Sequence, residues 1–159
     1  MPKVRIVLAD DHTVMRSGLK LLLEREAGFT VVGEAQDGRE AVRTVDEQSP
    51  DVVVMDVAMP NLNGIEATVR IVDSHPRTAV IILSMHSDEG YVLRALKAGA
   101  RGYLLKDSAE SDLIEAVRKV SEEKVLQLVQ QNTQGPLLGL FGTERVNVLK
   151  LNIALDALK

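Results

Sequence analysis

Five side chains in this sequence are of types that could handle a phosphoryl group. They are the adjacent acids Asp10 and Asp11, the acid Asp56, the hydroxyl of Ser84 and the amine of Lys106. Asp56 closes the apolar run "VVVMD" (Val52–Asp56), and the turn-forming "VAMPNLNG" follows. A carboxylate aimed out of the end of such a strand is a rigidly held nucleophile. It can form an acyl phosphate with a donor placed in line. Asp10 and Asp11 would add oxygen ligands for a hard cation such as Mg²⁺, which takes carboxylate, water and phosphate oxygens. The cation would neutralise charge developing on the phosphoryl group. Lys106 would offer a point charge to one phosphoryl oxygen, and Ser84 a hydrogen bond to another. Asp56, Lys106 and Ser84 thus form the candidate catalytic set, with Asp10, Asp11 and Asp56 at the metal. Each residue taken alone has an ordinary use, since acids cap helices and fill turns. Only their order on a common scaffold is specific.

That scaffold is legible in the alternation of elements. Short β-branched runs at Val4–Ala9, Thr30–Ala35, Val52–Asp56, Ala79–Leu83 and Arg101–Leu105 alternate with helical stretches. Val14, Leu19, Leu22 and Leu23 could line the first helix, and Ile65, Val69 and Val72 the third. Asp37-Gly38 opens the second helix, and His75-Pro76 ends the third. Strand and helix repeated five times imply an α/β fold, a doubly wound parallel sheet covered on both faces. Functional groups of such sheets gather beyond the carboxyl ends of the strands. All five candidates lie just there. A last helix is expected to start near Asp107, with Glu110 completing its cap. Leu113, Ile114, Val117 and Val120 supply its core face.

Composition removes other chemistries. The chain has 159 residues and no cysteine. Disulfides, thiolate zinc sites and Cys nucleophiles are excluded, and a cytoplasmic setting suits the absence. The net charge of −4 argues against a nucleic-acid surface over most of the chain. No apolar stretch reaches the ~20 residues of a membrane span. Glycine-rich phosphate loops and serine nucleophile elbows are missing. His12, His75 and His86 show no ligand spacing, and His12 is expected in the loop after the first strand.

The segments "LADDH", "VVVMDVAMPNLNGIEAT" and "IILSMHSDEGYVLRALKAGARGYLLKD" resemble the receiver domains of two-component response regulators, the CheY-like fold. The Lys106-Asp107 pair is similar to the NarL/LuxR-type branch. The resemblance covers about residues 3–121. It implies a five-stranded sheet in the order 2-1-3-4-5. It further implies a phosphohistidine donor on a sensor histidine kinase and phosphorylation at Asp56. Mg²⁺ would be held by Asp11, Asp56 and the main-chain carbonyl of Ala58, with Asp10 helping. Ser84 and Tyr103 would be a switch pair, the ring rotating inward as the hydroxyl turns to the phosphoryl group. The responsive face would span roughly Ser87–Val120. Such a chain is no enzyme beyond its own Mg²⁺-dependent phosphorylation and dephosphorylation. An independent phosphatase would want an acid two residues after the nucleophile, where Ala58 stands.

Residues 1–121 are therefore read as a receiver and 122–159 as a short, helical C-terminal extension. Thr143–Leu151 resembles only faintly the start of a DNA-binding domain, and a recognition helix with its scaffold would not fit. DNA binding by this chain is not expected. A transcription regulator with a truncated DNA-binding part is the alternative. Val148, Leu151, Leu155 and Leu158 are spaced as a heptad seam, which would suit a homodimer.

Overall fold

The computed structural model describes residues 2–133, with side chains through Glu123. The elements are β1 (Val4–Ala9), α1 (Thr13–Glu24), β2 (Phe29–Ala35), α2 (Gly38–Gln48), β3 (Val52–Asp56), α3 (Gly64–Ser74), β4 (Ala79–Ser84), α4 (Glu89–Lys97), β5 (Gly102–Leu105) and α5 (Ala109–Thr133). The strands are parallel and ordered β2-β1-β3-β4-β5. This is the doubly wound order implied by the resemblance. The chain reverses direction across the sheet between β1 and β3, which opens a crevice beyond their carboxyl ends.

Alternation along the strands builds two cores. Val7, Val53, Met55, Val80 and Ile82 face α2, α3 and α4, where Ala41, Val45, Ala67, Ile71 and Ala95 meet them. Ile6, Leu8, Val52, Val54, Ile81 and Leu104 face α1 and α5, against Leu19, Leu23, Leu113 and Val117. All five residues of β3 are buried, as a central strand covered on both faces requires. Asp10, Asp56 and Lys106 keep the parity of Leu8, Val54 and Leu104. The second core thus ends in charged groups at the carboxyl edge of the sheet.

Several helix faces differ from the sequence expectation. Val14 is 87% exposed and Val69 52%. Leu19 and Leu23 of α1 are buried as expected, joined by Arg16, and Leu22, Ile65 and Val72 pack half-buried on the cores, α3 adding the buried Gly64, Ala67, Thr68 and Ile71. An apolar-rich helix offers more than one stripe, and the sheet selects among them. The last helix also starts later than expected. A short 3₁₀ turn at Lys106–Ser108 leads from β5 into α5, so Asp107 lies inside the turn rather than capping the helix. The Ser108 hydroxyl donates to the Leu105 carbonyl at 3.2 Å there. α5 runs through residue 121 without a break. The tail beyond Thr133, including the Val148–Leu158 seam, lies outside the described residues.

Two glycines are required by close approach. An added Cβ at Gly64 would stand 1.9 Å from the Asp56 carbonyl oxygen, and one at Gly38 would stand 2.1 Å from that of Leu62. Gly64→Ala is therefore expected to lower stability by about 2 kcal/mol, as overpacking does. Gly18→Ala in α1, where nothing lies within 4 Å of an added Cβ, is expected to raise it by about 0.5–1 kcal/mol through helix propensity. Melts followed by circular dichroism check both. A Gly64→Ala protein that melts like wild type would contradict the close approach.

Candidate functional site

The loop after β1 carries the acidic pair. Asp10 is buried and Asp11 exposed. Neither is the N-cap of α1, a place taken by His12 without a side-chain cap bond. Asp10 instead turns its Oδ1 back to accept from the His12 amide at 2.8 Å. Its own amide donates to the Ala35 carbonyl at 3.0 Å, and its carbonyl accepts from Arg16 Nη1 at 2.7 Å. The main chain of Asp10 is thus clamped on both sides, its amide by β2 and its carbonyl by α1.

Asp56 is 3% exposed. Lys106, led in by the turn after β5, places its Nζ 3.2 Å from Asp56 Oδ2 and 3.3 Å from Asp10 Oδ2. Both of those buried oxygens lack a hydrogen-bond partner. The ammonium therefore serves them as a charge rather than as an aligned donor. Burial, and then the negative charge of Asp10, push the Asp56 carboxyl above its ordinary value, with Lys106 offsetting part. Burial works against the Lys106 ammonium, but Asp56 and Asp10 together outweigh it and hold its pKa up.

Ligand atoms of Asp10, Asp11, His12 and Asp56 all lie within 4.8 Å of one another. Two buried carboxylate oxygens that share a single ammonium, beside a solvent-facing Asp11, are a donor set for a hard divalent cation. His12 Nδ1 lies 3.2 Å from Asp10 and 3.1 Å from Asp11. It belongs to the cluster, which sequence spacing did not show, since adjacency to the acids was its only signal.

The structure brings Asp10, Asp11, Asp56 and Lys106 together, while Ser84, Tyr103 and Ala58 lie on β4, on β5 and in the loop after β3. Ser84 is buried at the end of β4, and its Oγ accepts from the His86 amide at 3.0 Å. Tyr103 on β5 is 1% exposed, its ring already inward, and its hydroxyl donates to the His86 carbonyl at 2.6 Å. The His86 ring stacks on Tyr91 at 4.4 Å, and Arg94 covers the same tyrosine. Ala58 is exposed in the loop after β3, its amide 3.4 Å from Asp56 Oδ1. Arg16 is the buried residue that sequence reading missed. It ion-pairs with Glu34 on β2 at 3.0 Å as well as holding Asp10.

Known proteins share this fold. The family model described as Response regulator receiver domain matches residues 6–118. A second, that of the K⁺-transporting ATPase c chain, matches residues 109–157 and overlaps the first within α5. The transcriptional regulatory protein DegU of Brevibacillus brevis is 46% identical over 120 residues, covering 76% of this chain and 51% of that protein. The chain spans about half the length of the curated relatives it matches. The signal receiver domain of a NarL response regulator from Mycobacterium tuberculosis superposes with a TM-score of 0.74 at 34% identity, covering 77% of this chain and 98% of that one. A CheX–CheY complex from Borrelia burgdorferi, solved with BeF₃ and Mg²⁺, gives a TM-score of 0.71 at 26% identity over 75% of this chain and 90% of that one. The family match runs from β1 into α5 and takes in the whole charged edge of the sheet, so this chain belongs to the receiver domains of two-component response regulators.

Proposed function

We propose that this receiver accepts a phosphoryl group on Asp56 from the phosphohistidine of a sensor histidine kinase, with Mg²⁺, and that the modification switches its protein contacts. The observation that carries the reading is the pairing of Asp56 with Asp10 across Lys106, two buried carboxylates with one cation between them. Mg²⁺ would be held by Asp11, Asp56 and the Ala58 carbonyl, with Asp10 helping. When bound it would neutralise the phosphoryl oxygens. Lys106 and Ser84 would bind those oxygens, and the Tyr103 ring, already buried with its hydroxyl on the His86 carbonyl, would keep that inward position rather than rotate into it. The only turnover would be that of the chain's own aspartyl phosphate. No helix among the described residues is long and apolar enough to cross a membrane, and a cytoplasmic setting fits that reading. The test is the intact mass of the protein after incubation with Mg²⁺ and acetyl phosphate, beside Asp56→Asn. A single phosphoryl adduct on wild type alone supports the assignment. No adduct on folded wild type, or an adduct retained by Asp56→Asn, ends it.

Ala58 bears on the lifetime of that adduct. Its small exposed side chain, next to Asp56, leaves the phosphoryl group open to water. Ala58→Met is expected to slow dephosphorylation several-fold, read from the decay of the adduct by mass. Identical decay would refute the shielding argument.

A second reading concerns the output. The c-chain match continues from α5 to residue 157. It favours a contact between the C-terminal segment and a K⁺-transporting ATPase. Co-purification with that ATPase from membranes, lost on removal of residues 124–159, would support it. Equal recovery without those residues would remove it. Transcriptional regulation, named for relatives such as DegU, belongs to proteins of which this chain aligns with about half.

A further inference from the structure

The loop between β3 and α3 carries the Ala58 carbonyl and is tied to the rest of the fold by the N-terminus of α2. Asp37, the N-cap of α2, divides its carboxylate between two tasks. Oδ1 accepts from the Glu40 amide at 2.8 Å, and Oδ2 accepts from Asn61 Nδ2 at 2.8 Å. The next residue repeats the link through main chain, the Gly38 amide donating to the Leu62 carbonyl at 3.0 Å. Consecutive residues of α2 therefore grip consecutive residues of the loop. Asn61 sits at φ 68°, in the left-handed region. Asn, Asp and Gly tolerate that conformation best. Hydrogen bonds from Glu40 and then Asn61 hold the Asp37 carboxyl below its ordinary value, so the acceptor in this link is an ionised carboxylate.

We propose that Asp37 and Asn61 are positioning residues: their cross-loop bond presets the β3–α3 loop so that the Ala58 carbonyl stands ready for the divalent cation. The inference rests on the reading of Asp56 as a Mg²⁺-dependent acceptor. Neither residue touches the reacting atoms. A ligand supplied by main chain cannot be tuned by its own side chain. It must be placed by whatever fixes the loop, and ordering the loop in advance removes that cost from metal binding.

Calorimetric titration of the unphosphorylated protein with Mg²⁺ tests this. Asp37→Ser keeps a helix cap but is too short to hold Asn61. Asn61→Gly removes the amide and keeps the left-handed backbone. Each is expected to raise the Mg²⁺ Kd about five-fold, the loss of one charge-assisted bond at an exposed position. The double variant should be no weaker than the weaker single one, because both remove the same bond. The exchange Asp37→Asn with Asn61→Asp restores an amide–carboxylate pair with reversed polarity. It should bring the Kd back to the wild-type value, which a merely structural role would not do. Phosphorylation by acetyl phosphate should slow at low Mg²⁺ and recover at saturating Mg²⁺. Singles that bind Mg²⁺ like wild type, effects that multiply in the double, or an exchange that fails to rescue would each overturn the inference while the acceptor reading stands. Wild-type protein that binds no Mg²⁺ would overturn both.

Discussion

Asp56→Asn is expected to abolish phosphoryl uptake entirely and, in Mg²⁺-free buffer, to melt a few degrees above wild type. The two results have one cause. A nucleophilic carboxylate must be kept ionised where burial and the neighbouring Asp10 both oppose the charge. The folded state therefore holds the Asp56 proton more tightly than the unfolded chain does, whose value is close to 3.8. A raised acid contributes most to stability below its unfolded value, and the contribution is lost as pH rises through the folded value. The advantage of the asparagine should thus be greatest at neutral pH and shrink as pH falls toward 3.8. Saturating Mg²⁺ should also shrink it, because the cation favours the wild-type carboxylate. Calorimetric melts of the two proteins with and without Mg²⁺ check this. A wild type more stable than Asp56→Asn in Mg²⁺-free neutral buffer would show that Asp56 is not a strained charge.

Lys106→Ala should move stability the other way and further. Its Nζ is the cation within ion-pair distance of both buried oxygens, and the side chain is only 10% exposed. Removing one member of a buried ion pair leaves an uncompensated charge and typically costs 3–5 kcal/mol. Here two carboxylates are stranded, but both can protonate. About 3 kcal/mol is expected, or roughly 10 °C in a domain of this size. Because Mg²⁺ can replace the lost charge, most of the loss should return on adding it. Phosphoryl uptake should stay slow even then, since the metal cannot occupy the place of the ammonium at the phosphoryl oxygen. A melt lowered equally with and without Mg²⁺ would mean that Lys106 acts through packing rather than charge.

Much of this site could be read before the fold was seen, and the reason is local. "VVVMD" is an uninterrupted apolar run with one acid at its end, and no other element of that length suits a strand buried on both faces. The residues just past each strand end then fall together by topology alone. What escaped was set by contacts between distant residues. Arg16 looks like an ordinary exposed helix residue until Glu34 and the Asp10 carbonyl appear beside it. Asn61 looks like turn punctuation until α2 brings Asp37 to it. Val14 and Val69 fit a core face by spacing yet stand exposed, because periodicity marks a stripe without saying which stripe the sheet will cover. Capping residues mark a helix start near Asp107, whereas the chain leaves β5 through a 3₁₀ turn that carries Lys106 toward the acids before α5 begins.

α5 has a consequence of its own. The helix is 25 residues long, about 37 Å at 1.5 Å per residue. Its buried positions Leu113, Val117 and Val120 lock its rotation against the sheet. The helix therefore brings the chain to Thr133 with a heading as well as a distance. Adding one residue between Glu123 and Thr133 would turn that heading by about 100°, while adding seven would carry it about 10 Å farther and nearly restore it. A coupling that depends on direction should consequently fail with one added residue and revive with seven, like a key cut to a particular angle.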